Sequence, residues 1–232
     1  MAKKILLLML AGCLVYTGYS QNVRLNAYGA YVFDDKVDSY YSNTSYFNGT
    51  IKGGFLWGAG LEYRVHQYYG IELMYQRLDT HAPTEYYDPG GQGGIGSGVK
   101  HTNFDLGINY IMVGGARTFH PSEKVEPYGG FMLGMAIVDA KNPDKGTSAS
   151  ATKFAWGLRL GTNIWTSGKV GIKLQTQLLS VPQGAGGALY FGTGGAGAGV
   201  STYSTMLQFV LGGGLTFKLG QQKAPSTAPK SY

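Results

Sequence analysis

Cysteine is nearly absent: Cys13 is alone among 232 residues, so the chain has no intramolecular disulfide to draw on. Small exported domains lean on disulfides, but a mature chain of roughly 210 residues is long enough to do without them. Charge is scarce as well, at 14% of residues, and the formal net charge of +6 is scattered along the chain. No basic run marks a nucleic-acid partner. His66, His81 and His101 are dispersed and lack metal-ligand spacing. The glycine-rich stretches near Gly90 and Gly194 have no following Gly-Lys-Ser/Thr, and Ser167-Gly-Lys169 is a turn. No phosphate loop is supported and no cofactor is expected.

The one long apolar run is at the amino terminus. Met1-Ala-Lys-Lys precedes Ile5-Leu-Leu-Leu-Met-Leu-Ala, and Gly18-Tyr-Ser20 supplies small residues before Gln21. This pattern predicts a cleaved signal peptide over residues 1–20, too short for a spanning helix. Leu10-Ala-Gly-Cys13 also fits a lipoprotein box, which would leave Cys13 as a lipidated first residue. The apolar run through Leu14, Val15 and Tyr16 suits cleavage at Gln21 better. Loss of Lys3 and Lys4 takes the charge from +6 to +4.

What the chain does have is 38 Gly, 18 Tyr and 10 Phe, together with repeated alternation of apolar and polar residues. Phe55, Trp57, Ala59, Leu61, Tyr63 and Val65 alternate with Gly54, Gly58, Gly60, Glu62 and Arg64. After a break at His66-Gln67-Tyr68, Tyr69, Ile71, Leu73 and Tyr75 alternate with Gly70, Glu72 and Gln76. Side chains on a strand alternate with period two, so residues 51–78 predict a two-faced hairpin. The same pattern predicts strands at Val23–Phe33, Asn103–Thr118, Glu126–Val138, Thr152–Trp165, Val170–Ser180 and Ser204–Leu219. On the strand from Asn103, Phe104, Leu106, Ile108, Tyr110 and Met112 are assigned to the apolar face, with Asp105, Gly107, Asn109 and Arg117 opposite.

Eight strands result, joined long–short–long–short–long–short–long. The short turns, near Gln67, Pro121 and Ser167, fall on the side of both termini. Outer-membrane barrels have this rhythm. The apolar faces are free of Asp, Glu, Lys and Arg in this assignment, whereas Gly54, Gly58, Gly60, Gly70, Gly107, Gly130, Gly157, Gly161 and Gly171 share the polar faces. A crowded barrel interior needs such small residues, and the apolar aromatics are too bulky for an eight-strand lumen. The expected fold is therefore an all-β, eight-stranded antiparallel up-and-down transmembrane barrel over residues 21–219. It has short periplasmic turns, long outer loops, both termini periplasmic and a disordered tail at 220–232.

The eight alternating strands and the closing segment Gly214-Leu-Thr-Phe217-Lys-Leu219 resemble the OmpA/OmpX-type small outer-membrane β-barrels. The residue before that closing glycine pattern is Gly212, where such barrels carry a polar residue, and about 13 residues follow the strand. The resemblance implies outer-membrane lipid and lipopolysaccharide as surroundings and the barrel-assembly machinery as a partner. The tail is too short for a peptidoglycan-binding domain.

Folding residues 51–78 about Gln67 places Glu62 opposite Glu72, both inward, where two carboxylates repel unless a cation intervenes. Lys173 and Arg159 are expected to pair with them, with Arg64 nearby, as an interior ion-pair plug. A gate or proton-binding site is the functional alternative. Some barrels of this size are lipid A-modifying enzymes using Ser with His, but His120-Pro-Ser122 sits in a short periplasmic turn, so no catalysis is expected. Tyr40, Tyr41, Tyr46, Phe47, Tyr86, Tyr87, Tyr190 and Phe191 lie in the long loops. They suit either an interfacial girdle or recognition of an extracellular ligand. The expected role is structural or surface-recognition; a narrow porin-like channel is the alternative.

Overall fold

The computed structural model describes residues 22–42, 45–88, 98–119, 122, 124–144, 146–166, 168–182, 188–192, 195–199 and 205–219. The expected signal peptide, Cys13, His120 and the tail at 220–232 lie outside these residues. The described residues form twelve strands: β1 Val23–Val32, β2 Asp35–Ser42, β3 Ser45–Ile51, β4 Gly54–His66, β5 Tyr69–Asp88, β6 Gly98–Thr118, β7 Val125–Asn142, β8 Thr147–Trp165, β9 Val170–Val181, β10 Ala188–Gly192, β11 Gly195–Gly199 and β12 Met206–Leu219. Eight of them close a ring in the order β1-β4-β5-β6-β7-β8-β9-β12, with every neighbour antiparallel.

The remaining strands are two hairpins at the end of the ring opposite the termini, called here the far end. β2–β3 attaches through β3 to the upper part of β5, and β10–β11 pairs with itself. At the root of β2–β3, Asp34 accepts from the Lys52 ammonium at 2.9 Å and from the Gly53 N–H at 2.7 Å. These two contacts hold its carboxyl below the usual carboxylate range. Segments expected as long loops are largely strand, because β5, β6, β7 and β8 run on beyond their neighbours. They stand as a raised wall at the far end.

Register sets the barrel's shape. From Arg24 the ladder passes through Glu62, Glu72, Gly114, Met132, Gly157, Leu179 and Gln208. Since Val210 faces Val32, Gln208 is level with Asp34, ten residues above the start. A shear of ten over eight strands tilts each strand by about 40° and gives a radius of roughly 8 Å.

The ring is apolar outside and filled inside. Phe55 is 64% exposed and Leu160 61%, while Glu72 and Lys173 are 1% and 2% exposed. An apolar belt running right round the ring is far larger than the patch of a few hundred Å² that a soluble monomer exposes. Tyr69 and Phe119, each with Arg117 over its ring at 5.8 and 5.6 Å, mark the belt's lower edge. The Trp57–Tyr75 ring pair, with centroids 6.0 Å apart, marks the upper edge.

One strand departs from expectation. Phe104, Leu106, Ile108, Tyr110 and Met112 of β6 point inward and are 0–3% exposed. Asp105, Gly107, Asn109 and Arg117 are on the outer face. The cause is the wall: β6 from Asn109 upward stands above the belt, where apolar residues belong inside and polar ones outside. Only Ile111 and Val113, 38% and 52% exposed, carry its lipid-type face. Gly107 is accordingly an outer-face glycine, and the outer face as a whole is not free of charge.

Candidate functional site

The lower bore is a lattice of buried charge. The Glu62 and Glu72 backbones are direct partners, and Asn26 Nδ2 bridges their carboxylates, at 2.7 Å to Glu72 Oε1 and 3.4 Å to Glu62 Oε2. Glu72 also accepts from the Arg159 guanidinium and the Tyr28 hydroxyl. Glu62 faces Arg64 at 3.5 Å, Arg24 at 3.8 Å and Lys173 at 3.9 Å. Lys173 lies 4.7 Å from the Tyr128 ring centroid, and Tyr128 donates to Gln175 Oε1 at 2.8 Å.

Arg24 and Glu126 also belong to the lattice and are not among the residues singled out from sequence. Arg24 forks onto Glu126 at 2.8 and 3.1 Å from strands on opposite sides of the ring. Asn163 Nδ2 donates to Glu126 at 3.3 Å, and Arg64 donates to Thr118 at 2.8 Å and to the Gln67 carbonyl. Beneath them Trp165 is covered by Lys218 at 3.7 Å and Arg24 at 4.9 Å. The available signal for Arg24 and Glu126 is parity alone: each has the inward phase of its strand.

The chemistry of this lattice is cohesive. Four cations, Arg24, Arg64, Arg159 and Lys173, surround three carboxylates, so Glu62 and Glu72 need no added ion to coexist. Among the described residues no group of three His, Cys, Asp or Glu has metal-binding geometry. Gly60 is required for the fit, because a Cβ there would lie 2.1 Å from Glu72 Oε1. Above the lattice Met74, Met112, Met132, Leu56, Leu78, Ile108, Leu179 and Val210 form one cluster, with the Gln76, Gln177 and Gln208 side chains buried at the same levels.

No family model matches the sequence, and no curated protein does. Solved structures match. Neisserial surface protein A is similar with a TM-score of 0.54 at 13% identity, over 84% of this chain and 96% of that one. The outer membrane protein OprG from Pseudomonas aeruginosa is similar with a TM-score of 0.54 at 12% identity, over 88% and 99%. The fold is that of the small outer-membrane β-barrels.

On this barrel the remaining candidates are far-end residues. Tyr40 and Tyr41 lie on β2, Tyr46 and Phe47 on β3, Tyr86 and Tyr87 near the end of β5, and Tyr190 and Phe191 on β10. Backbone pairing sets Tyr40 opposite Tyr46 and Phe47 opposite Tyr86, so six of the eight share one sheet region while β10 stands in a separate sheet. Ser122 is a turn residue: its hydroxyl accepts from Val125 N–H at 2.9 Å. His66 lies tilted beside Tyr68, with ring centroids 5.6 Å apart, and His101 lies 3.7 Å from Glu85.

Proposed function

We propose that this barrel is an integral outer-membrane protein with a closed bore and no catalytic activity, which presents its raised wall and hairpins at the cell surface as a structural or recognition platform. In this reading the termini are periplasmic and the far end is extracellular, as loop length divides in such barrels. The carrying observation is the filled interior. From Trp165 between its two cations, through the ion lattice, to the Met and Leu cluster, each level of the bore is occupied by side chains.

Opening a path would require breaking buried ion pairs, and removing one partner of such a pair costs about 3–5 kcal/mol. This favours the platform over a porin-like channel. Surface activity then rests with the wall and the aromatic-bearing hairpins. Reconstitution in planar bilayers tests it: the expected result is a heat-modifiable barrel with no single-channel steps. Steady conductance by the folded form would overturn the closed-bore reading.

A further inference from the structure

Lys153 is a buried cation that the ion lattice does not use. It is 6% exposed and belongs to an inward row that reads Tyr28, Gly58, Gln76, Tyr110, Ala136, Lys153 from β1 round to β8. Rows climb ten residues over eight strands, so this one gains about six residues over its five steps. Lys153 is therefore level with Asp34, at the base of the mouth where β1 leaves the ring.

Arg24, Arg64, Arg159 and Lys173 each stand against a carboxylate. Lys153 has none among the described residues. Asp35, at the root of β2, is taken up by the Leu207 N–H at 2.8 Å. Segments 43–44, 89–97, 183–187, 193–194 and 200–204, which link far-end strands, contain no Asp or Glu. A buried charge is costly unless it is paired, so this ammonium calls for an anion from outside the chain.

The surroundings select the anion. From opposite sides of the ring, the Tyr110 hydroxyl donates to Gln208 Oε1 at 2.7 Å, and this bridge floors the mouth below Lys153. The same bond fixes the amide and leaves Gln208 Nε2 buried and unpartnered. Ala151 and Ala155 along β8, and Ala136 across on β7, leave room beside the lysine stem. Ile108 and Val138, in the row above, supply aliphatic walls. One positive charge, one neutral N–H donor from another wall and apolar sides match a group with a single negative charge, two oxygens and an alkyl tail. A phosphate dianion would bring one charge too many, and chloride makes no use of the walls.

We infer that the mouth of this barrel binds a small aliphatic monocarboxylate, one oxygen on Lys153 Nζ and the other on Gln208 Nε2, its tail against Ile108 and Val138. Barrel mouths are common ligand sites, mostly apolar with a few placed polar groups. The Tyr110–Gln208 floor makes this a seat and not a passage. It goes beyond the platform reading and needs only the closed ring, so the failure of either would leave the other standing.

The test is thermal unfolding of the whole barrel in zwitterionic vesicles with sodium butyrate, butyramide or sodium chloride at equal concentration. At ten times the half-saturating concentration of butyrate, Tm should rise by about 3–6 °C, with no rise from the other two. Lys153→Met removes the charge without orphaning a carboxylate. Its Tm without ligand should not fall below the parent's, and the butyrate response should vanish. Gln208→Glu keeps an acceptor for Tyr110 and supplies the carboxylate from within the chain, so it should raise Tm without ligand and likewise abolish the response. An equal rise with chloride or butyramide would overturn carboxylate recognition. A response retained by Lys153→Met would overturn the site, and one retained by Gln208→Glu would overturn the second donor. A lowered Tm in Lys153→Met without ligand would show that Lys153 already has its counter-charge in the chain, which would also overturn the inference.

Discussion

At the scale of single residues, Glu72 is the member of the lattice with most to lose. It is 1% exposed and holds Asn26, Tyr28 and Arg159 at once. Glu72→Gln leaves the Arg159 guanidinium buried without its counter-charge. We expect a loss of about 3–5 kcal/mol in equilibrium unfolding from bilayers. Adding Arg159→Met to Glu72→Gln should cost less than the sum of the single changes, since the two groups share one interaction; strict additivity would mean that they do not. Gly60→Ala is a steric probe of the same carboxylate, and about 1–3 kcal/mol should be lost by overpacking. The pairing of Glu62 with Glu72 is legible in sequence, because a hairpin's register follows from its turn. The Arg24–Glu126 fork is not, because it spans the bore and depends on the shear, which no local pattern encodes.

At the scale of elements, β6 is the instructive strand. Its alternation is plain in the sequence, and so is its existence. Its orientation is not, because the meaning of an apolar face reverses at the belt's upper edge. Below that edge Ile111 and Val113 face outward; above it Phe104, Leu106 and Ile108 face inward, and Asp105 and Asn109 outward. Reading the strand as wholly membrane-embedded assigns its longer, upper part to the wrong side. The neighbouring strands obey the same reversal, with Leu78 and Ala82 of β5 and Val138 and Ala140 of β7 buried above the belt. With Cys13, the single native cysteine, replaced by Ser, Val113→Cys should react with a bilayer-dissolved thiol label and Met112→Cys should not. The opposite pattern would restore the other orientation of β6. Val113→Arg should cost about 2–4 kcal/mol, as a cation near the bilayer midplane does, and Asn109→Arg far less.

At the scale of the whole molecule, closure depends on one seam. β12 runs Gly212, Gly213 and Gly214 past β1, and a Cβ on Gly214 would stand 1.7 Å from the Ala27 carbonyl oxygen. Gly214→Val should therefore abolish the compact, heat-modifiable form on gels. Gly115→Val is the control: an added Cβ there meets nothing within 4 Å, so this variant should migrate as the parent does. Normal folding of both would show that the seam tolerates a side chain.

That seam also orders the events of assembly. Seven of the ring's eight pairings join strands that follow one another around it in chain order, whereas β1–β12 sets Val23 against Leu219. Each doubling of the enclosed chain adds about 0.6 kcal/mol to the entropy of bringing its ends together, so this contact is the most expensive to reach early. The curled sheet must therefore form first and zip last. Until it does, two long edges of unpaired amides and carbonyls face a solvent that cannot satisfy them. Half-closed barrels are thus disfavoured at both extremes, which makes ring closure the commitment step between an unfolded chain and a spanning one.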